Sequence, residues 1–132
     1  MRRRVDIASE RGQTAVEFAL FLPLIATLLF SVIQFGIAFN NYVTLTDATR
    51  AGARRAAVER LSGLRGSDIE AAVKAAASDL NQADVKVTVT STNWSQSGAD
   101  VSVNATYPCE LNLIMYVLPC GPLKSSATER LE

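Results

Sequence analysis

Twenty-two consecutive residues, Phe18 to Phe39, carry no charge: FALFLPLIATLLFSVIQFGIAF. Wound as a helix, this run is about 33 Å long, which matches the hydrocarbon core of a bilayer. A helix apolar on every side needs covering on every side. The 132-residue chain leaves 110 residues outside the run, enough for one modest domain but not for a large catalytic core that would also cover such a rod. A membrane-spanning helix is therefore the reading, and a buried core helix the weaker alternative. A secretory signal peptide also begins with basic residues and an apolar stretch. This run exceeds that stretch in length, ends with only the weak small-residue pair Gly36 and Ala38, and is preceded by the acidic Glu17. Conventional cleavage after it is disfavoured.

The charges are unevenly placed. The first twelve residues hold Arg2, Arg3, Arg4 and Arg11 against Asp6 and Glu10, which leaves nine basic and eleven acidic residues in the remainder. Basic residues ahead of a span mark its cytoplasmic side, so the N-terminus is expected in the cytoplasm and the C-terminal part outside it. The slightly acidic remainder offers no concentrated positive patch, and no nucleic-acid partner is expected. The chain has no histidine, which removes the commonest general base together with the commonest metal ligand. No metal, cofactor or catalytic group is expected. Cys109 and Cys120, eleven positions apart, match no zinc-ligand spacing. A structural disulfide is the simplest reading, ahead of two buried thiols and of redox chemistry.

Glu17 stands at the first turn of the span, where an ionised carboxylate costs less than at the centre. It either reaches back to the interface and the positive end of the helix dipole or is kept for a cationic partner, and composition does not separate the two. Pro23 lies inside the run and crowds the carbonyl of Ala19. A kink that helps the helix leave the bilayer is one reading, and simple tolerance in a packed helix is preferred.

The run from Arg11 to Leu20, RGQTAVEFAL, followed by Leu22-Pro23-Leu24, resembles the N-terminus of the TadE-like family, pseudopilins of the tight-adherence (Tad, type IVc) pilus system. The likeness continues through Gln34-Phe35-Gly36, through Thr46 to Arg54 (TDATRAGAR), and at the closing segment Ser125 to Glu132. Departures from the family pattern are Asp47, Ala51 and Glu129, none of them near the processing motif. The resemblance implies a cytoplasmic prepilin-type leader over residues 1–12, cut by a prepilin peptidase between Gly12 and Gln13. It makes Glu17 an assembly carboxylate, paired with the new α-amine of a neighbouring subunit. It implies helix packing through Phe18, Pro23, Phe35, Gly36 and Gly52. The implied partners are the membrane, the peptidase, other pilin and pseudopilin subunits and the Tad assembly platform. The implied location is the inner (cytoplasmic) membrane in a single pass, with incorporation in a surface pilus.

No strong breaker interrupts the chain after Phe39, so one helix is expected from about Thr14 to Arg60, within a helical region spanning residues 13–61. Ala48, Gly52 and Ala56 form a smooth face for close packing, with Arg50, Arg54 and an Arg55–Glu59 pair outward. Ser62 to Gly66 ends it. Ser67 with Glu70 then caps a second helix to about Leu80, with Ile69, Val73, Ala76 and Leu80 on one side. Val85 to Thr90 and Val101 to Tyr107 alternate at period two and predict an antiparallel hairpin whose connection holds Trp94 as a packing residue. Leu111 to Leu118, too short to span a membrane, is expected to pack under the sheet; an exposed apolar tip for subunits or the membrane surface is the alternative. Leu123 to Leu131 supplies a third strand. Asn93-Trp94-Ser95 and Asn104-Ala105-Thr106 match a glycosylation triplet that chance often produces. The expected class is α+β and pilin-like, with residues 67–132 as an extracytoplasmic domain. The expected function is that of a minor pilin or pseudopilin acting by assembly, with a static single-pass scaffold of a pilus or secretion complex as the alternative. A membrane-bound enzyme has no residue constellation behind it.

Overall fold

A computed structural model describes residues 7–58, 66–94, 96–113 and 116–131. Its elements are helices α1 (Ile7–Val58) and α2 (Gly66–Ala76) and strands β1 (Lys86–Ser91), β2 (Asp100–Tyr107), β3 (Glu110–Leu113), β4 (Tyr116–Pro119) and β5 (Leu123–Arg130). This is the α+β arrangement of a long helix, a short helix and a small antiparallel sheet.

Helix α1 runs for 52 residues and starts seven residues ahead of the expected Thr14. Only Gly12 interrupts good helix formers there, and an isolated glycine costs about 1 kcal/mol, too little to stop a helix already propagating. Its expected end at Arg60, the Arg55–Glu59 pair and the break from Ser62 to Arg65 lie outside the described residues. Pro23 is accommodated without ending the helix. The hydroxyl of Thr27 donates to the Pro23 carbonyl at 2.8 Å, and that of Ser31 to the Thr27 carbonyl at 2.8 Å. Both hydroxyls are thereby satisfied within the helix itself, as an apolar surrounding requires.

From Gln34 onward one stripe of α1 is covered by the rest of the chain, through Ala38, Asn41, Leu45, Ala48 and on to Ala56. The steps of three and four residues are those of one helical face. Thr49 lies fully buried on this face, its hydroxyl donating to the Leu45 carbonyl at 2.6 Å, so its burial leaves no donor unpaired.

Helix α2 lays Ile69 and Val73 on that stripe. It ends at Ala76, four residues short of the expected Leu80, and the chain continues in turns through Ala77 and Leu80, both buried. Ala77, not Ala76, completes the buried face, because the face repeats at four residues from Ile69 through Val73. Beyond it, Asn81 turns the chain: its side-chain oxygen accepts from the Ala83 amide at 3.3 Å and its nitrogen donates to Asp84 at 2.7 Å. On the exposed side Glu70 pairs with Lys74 at 2.8 Å.

The main sheet has the order β1-β2-β5, antiparallel throughout. Val101, Val103 and Ala105 of the central strand are fully buried against the helices. Val89 and Ala127 flank Val103 in register, and the opposite face is polar, with Ser102 and Thr128 hydrogen-bonded at 2.8 Å. One face packed and one wet is what the period-two alternation dictates. Gly98, at φ 84°, makes the turn into β2, and its amide donates to the Leu131 carbonyl at 2.7 Å. Trp94, expected to pack, instead stands 37% exposed on this connection. The inner face beneath it is already filled by valines, alanines and Leu131.

The segment from Leu111 to Leu118 also departs from expectation. It forms a separate two-stranded ribbon, β3 with β4, rather than packing under the sheet. The helix-facing side of the sheet is occupied by α1 and α2, so the ribbon stands beside α1 with Val117 60% and Leu118 49% exposed. A disulfide joins Cys109 to Cys120 at its base, where the Cys120 amide also donates to the Cys109 carbonyl at 3.2 Å. An isolated two-stranded ribbon is marginal in water, so the crosslink carries much of its order. Closing this loop is worth about 2–3 kcal/mol. In the Cys109→Ser/Cys120→Ser variant, hydrogen exchange of the β3–β4 amides should accelerate by roughly 100-fold while β2 keeps its protection. Equal loss in both would mean that ribbon and sheet open as one unit.

Candidate functional site

The first site lies where α1 begins its apolar course. Gly12 and Gln13 sit within the continuous helix, and a side chain added at Gly12 would meet nothing within 4 Å. One turn on, the Gln13 side-chain amide donates to a Glu17 carboxylate oxygen at 3.2 Å. Gln13, Glu17 and Phe18 are all exposed. The bond between Gly12 and Gln13 is held in helical backbone with open space beside Gly12, so cutting it requires local unwinding, which a glycine eases. Cleavage there would leave an α-amine about 6 Å of helix rise from Glu17, four residues along. The Gln13–Glu17 contact was not anticipated from the sequence. Its signal was present in the four-residue spacing of an amide and a carboxylate.

Above Glu17 the helix presents a continuous apolar surface. Phe18 is 61% and Phe35 70% exposed, and Gly36 has open space around it. No residue of the most apolar 18-residue window of α1 is buried, and the helix is long and apolar enough to cross a membrane. Glu17 is the one charge between Gln13 and Phe39. An exposed apolar surface of this size marks a site of contact with a membrane or with other proteins.

Gly52 belongs elsewhere. It is buried against α2 of its own chain, where a methyl group would overlap the Val73 side chain. The structure therefore brings Gly12, Gln13, Glu17 and Phe18 together over two turns, extends their surface through Pro23 to Phe35 and Gly36, and places Gly52 and the disulfide in the folded domain. Among the described residues no cluster of histidine, cysteine, aspartate or glutamate could hold a metal ion.

A second feature was not legible in the sequence. The β3–β4 ribbon meets α1 edge-on, making a groove on each side. One, of about 300 Å³, is apolar and is lined by Phe35, Ala38, Phe39, Tyr42, Leu111, Leu123 and the disulfide. The other, of about 610 Å³, is polar, with Gln34, Asn41, Asp84, Glu110 and Asn112 among its walls. Gln34, the polar interruption of the apolar run, faces the domain.

Residues 12–54 match the family model described as TadE-like protein. The match covers the N-terminal site and α1 as far as its packing against α2. Over this segment, about a third of its length, the chain is similar to TadE-like proteins, which suggests involvement in the Tad pilus system. No curated protein and no solved structure matches the chain.

Proposed function

We propose that this chain is a minor pilin or pseudopilin of a Tad-type pilus, held in the inner membrane through α1 until it joins a filament. The observation that carries the reading is the exposed, uninterrupted apolar surface of α1, with a single carboxylate at its first turn. A permanent anchor needs no carboxylate there. A subunit that must later bundle with other helices gains from one, because a charge pair fixes axial register when helices are otherwise uniformly apolar.

In this reading a prepilin peptidase cuts after Gly12 on the cytoplasmic side, and the anchor stays with the mature chain. The amine of Gln13 in one subunit then meets Glu17 of another, while Phe18, Pro23, Phe35 and Gly36 pack between helices. The assembly platform draws the subunit from the bilayer, and the domain from Gly66 onward is displayed on the cytoplasm-distal side. The chain works by association, without cofactor or catalysis.

The test is the intact mass of the chain recovered from sheared surface filaments. The expected species lacks Met1 to Gly12 and begins at Gln13. A chain found only in the membrane fraction would favour a static scaffold, and a filament species retaining the first twelve residues would remove the peptidase step.

A further inference from the structure

We infer that the β3–β4 ribbon is a second membrane element, docked in the outer interface of the same bilayer that α1 crosses. The inference rests on the membrane-spanning reading of α1 and adds a partner, the lipid surface, for a part of the domain that this reading leaves unused.

The argument is one of height along a helix. If Glu17 marks the inner edge of the hydrocarbon core, a core of about 30 Å ends about twenty residues later, near Ile37. The walls of the two grooves show that the ribbon flanks α1 from Gln34 to Tyr42. Those residues straddle the outer edge of the core and the headgroup layer. A ribbon beside them cannot stand clear of the membrane while the helix spans it.

The surface chemistry agrees with that depth. Val117 and Leu118 are exposed on opposite faces of the ribbon, and the apolar groove continues the exposed phenylalanine surface of α1 at Phe35 and Phe39. Tyr42 and Tyr107 lie at the level favoured by amphipathic rings. Glu110 and Asn112 line the other side, which suits the headgroup layer and not the core. The disulfide keeps the ribbon paired where an open edge would cost most. The Asp100 end of β2 points away: it lies about 24 Å of strand from Tyr107, and Trp94 is on the connection beyond it.

Tryptophan fluorescence of the full chain in vesicles tests this. Trp94, the only native tryptophan, is the distal reporter. In a Trp94→Phe background, Val117→Trp and Leu118→Trp report on the ribbon and Leu28→Trp on the span. The expected result is blue-shifted emission from positions 117 and 118, quenched by lipid brominated near the carbonyl end of the acyl chains and shielded from acrylamide, with Trp94 behaving oppositely. If position 28 is quenched by brominated lipid and 117 and 118 only by acrylamide, the ribbon proposal falls and the span stands. Protection of 117 and 118 from both quenchers would mean that another copy of the chain covers the ribbon, which also overturns it. Failure of position 28 to sense brominated lipid would overturn the span and the ribbon together.

Discussion

Gly52→Leu is expected to prevent the C-terminal domain from packing on α1. The glycine lies on the buried stripe between Ala48 and Ala56, and the first atom added to it already overlaps a methyl of Val73. Val73 has no route of escape, since it is fully buried and its branched side chain has one strongly preferred rotamer in a helix. For Gly52→Ala, overpacking of about 1–3 kcal/mol is partly offset by about 1 kcal/mol of helix propensity, so a modest fall in melting temperature follows. Leucine adds three further heavy atoms in the same direction with no further gain in propensity. Its cost should take a large share of the roughly 5–15 kcal/mol that holds such a domain. Thermal unfolding by near-ultraviolet dichroism, with hydrogen exchange of Val101 to Ala105, reads the effect. Gly36→Leu, in open space, should leave both unchanged. Val73→Ala should restore part of the stability of Gly52→Ala, because the pair shares one volume. Wild-type melting for Gly52→Leu would mean that α1 and α2 do not meet there.

That contact illustrates what a one-dimensional reading can and cannot find. The four-residue spacing of Ala48, Gly52 and Ala56 announces a smooth face, and the face is there, because helical periodicity is a property of the backbone alone. Which element fills it is a matter of tertiary packing, which has no periodic signature. The strands were legible for the same reason as the helix: valines alternating with threonine and serine can bury only one side. The segment from Leu111 to Leu118 had no such pattern, and burial was the default for an apolar stretch. Its actual position follows from competition for the sheet face, which the two helices win. At the N-terminus, the four-residue spacing of Gln13 and Glu17 carries the signal for their contact, because both lie on one exposed helix, while the inward turn of Gln34 depends on how the helix is rotated against the domain.

Glu17→Ala is expected to leave the membrane-held form abundant while filaments containing the chain fall by at least about 100-fold. The two pools should respond oppositely because the carboxylate serves them differently. In the bilayer, removing a charge near the helix end lowers an insertion penalty that reaches about 2.5–3.5 kcal/mol at the centre, so insertion is neutral or improved. In a bundle, the α-amine of a neighbouring Gln13 would lose its counter-charge within an apolar surrounding. Breaking a buried pair from one side costs about 3–5 kcal/mol, which is a factor of 100 or more in each association step. Glu17→Gln separates charge from shape. It preserves length and an acceptor for the Gln13 side chain, which already holds one carboxylate oxygen at 3.2 Å, but it cannot neutralise an amine. A loss as deep as that of alanine would assign the effect to charge. Filament incorporation near wild-type for the glutamine variant would assign it to hydrogen bonding and shape. Normal filaments from Glu17→Ala would take Glu17 out of assembly altogether, leaving the apolar surface above it to set register unaided.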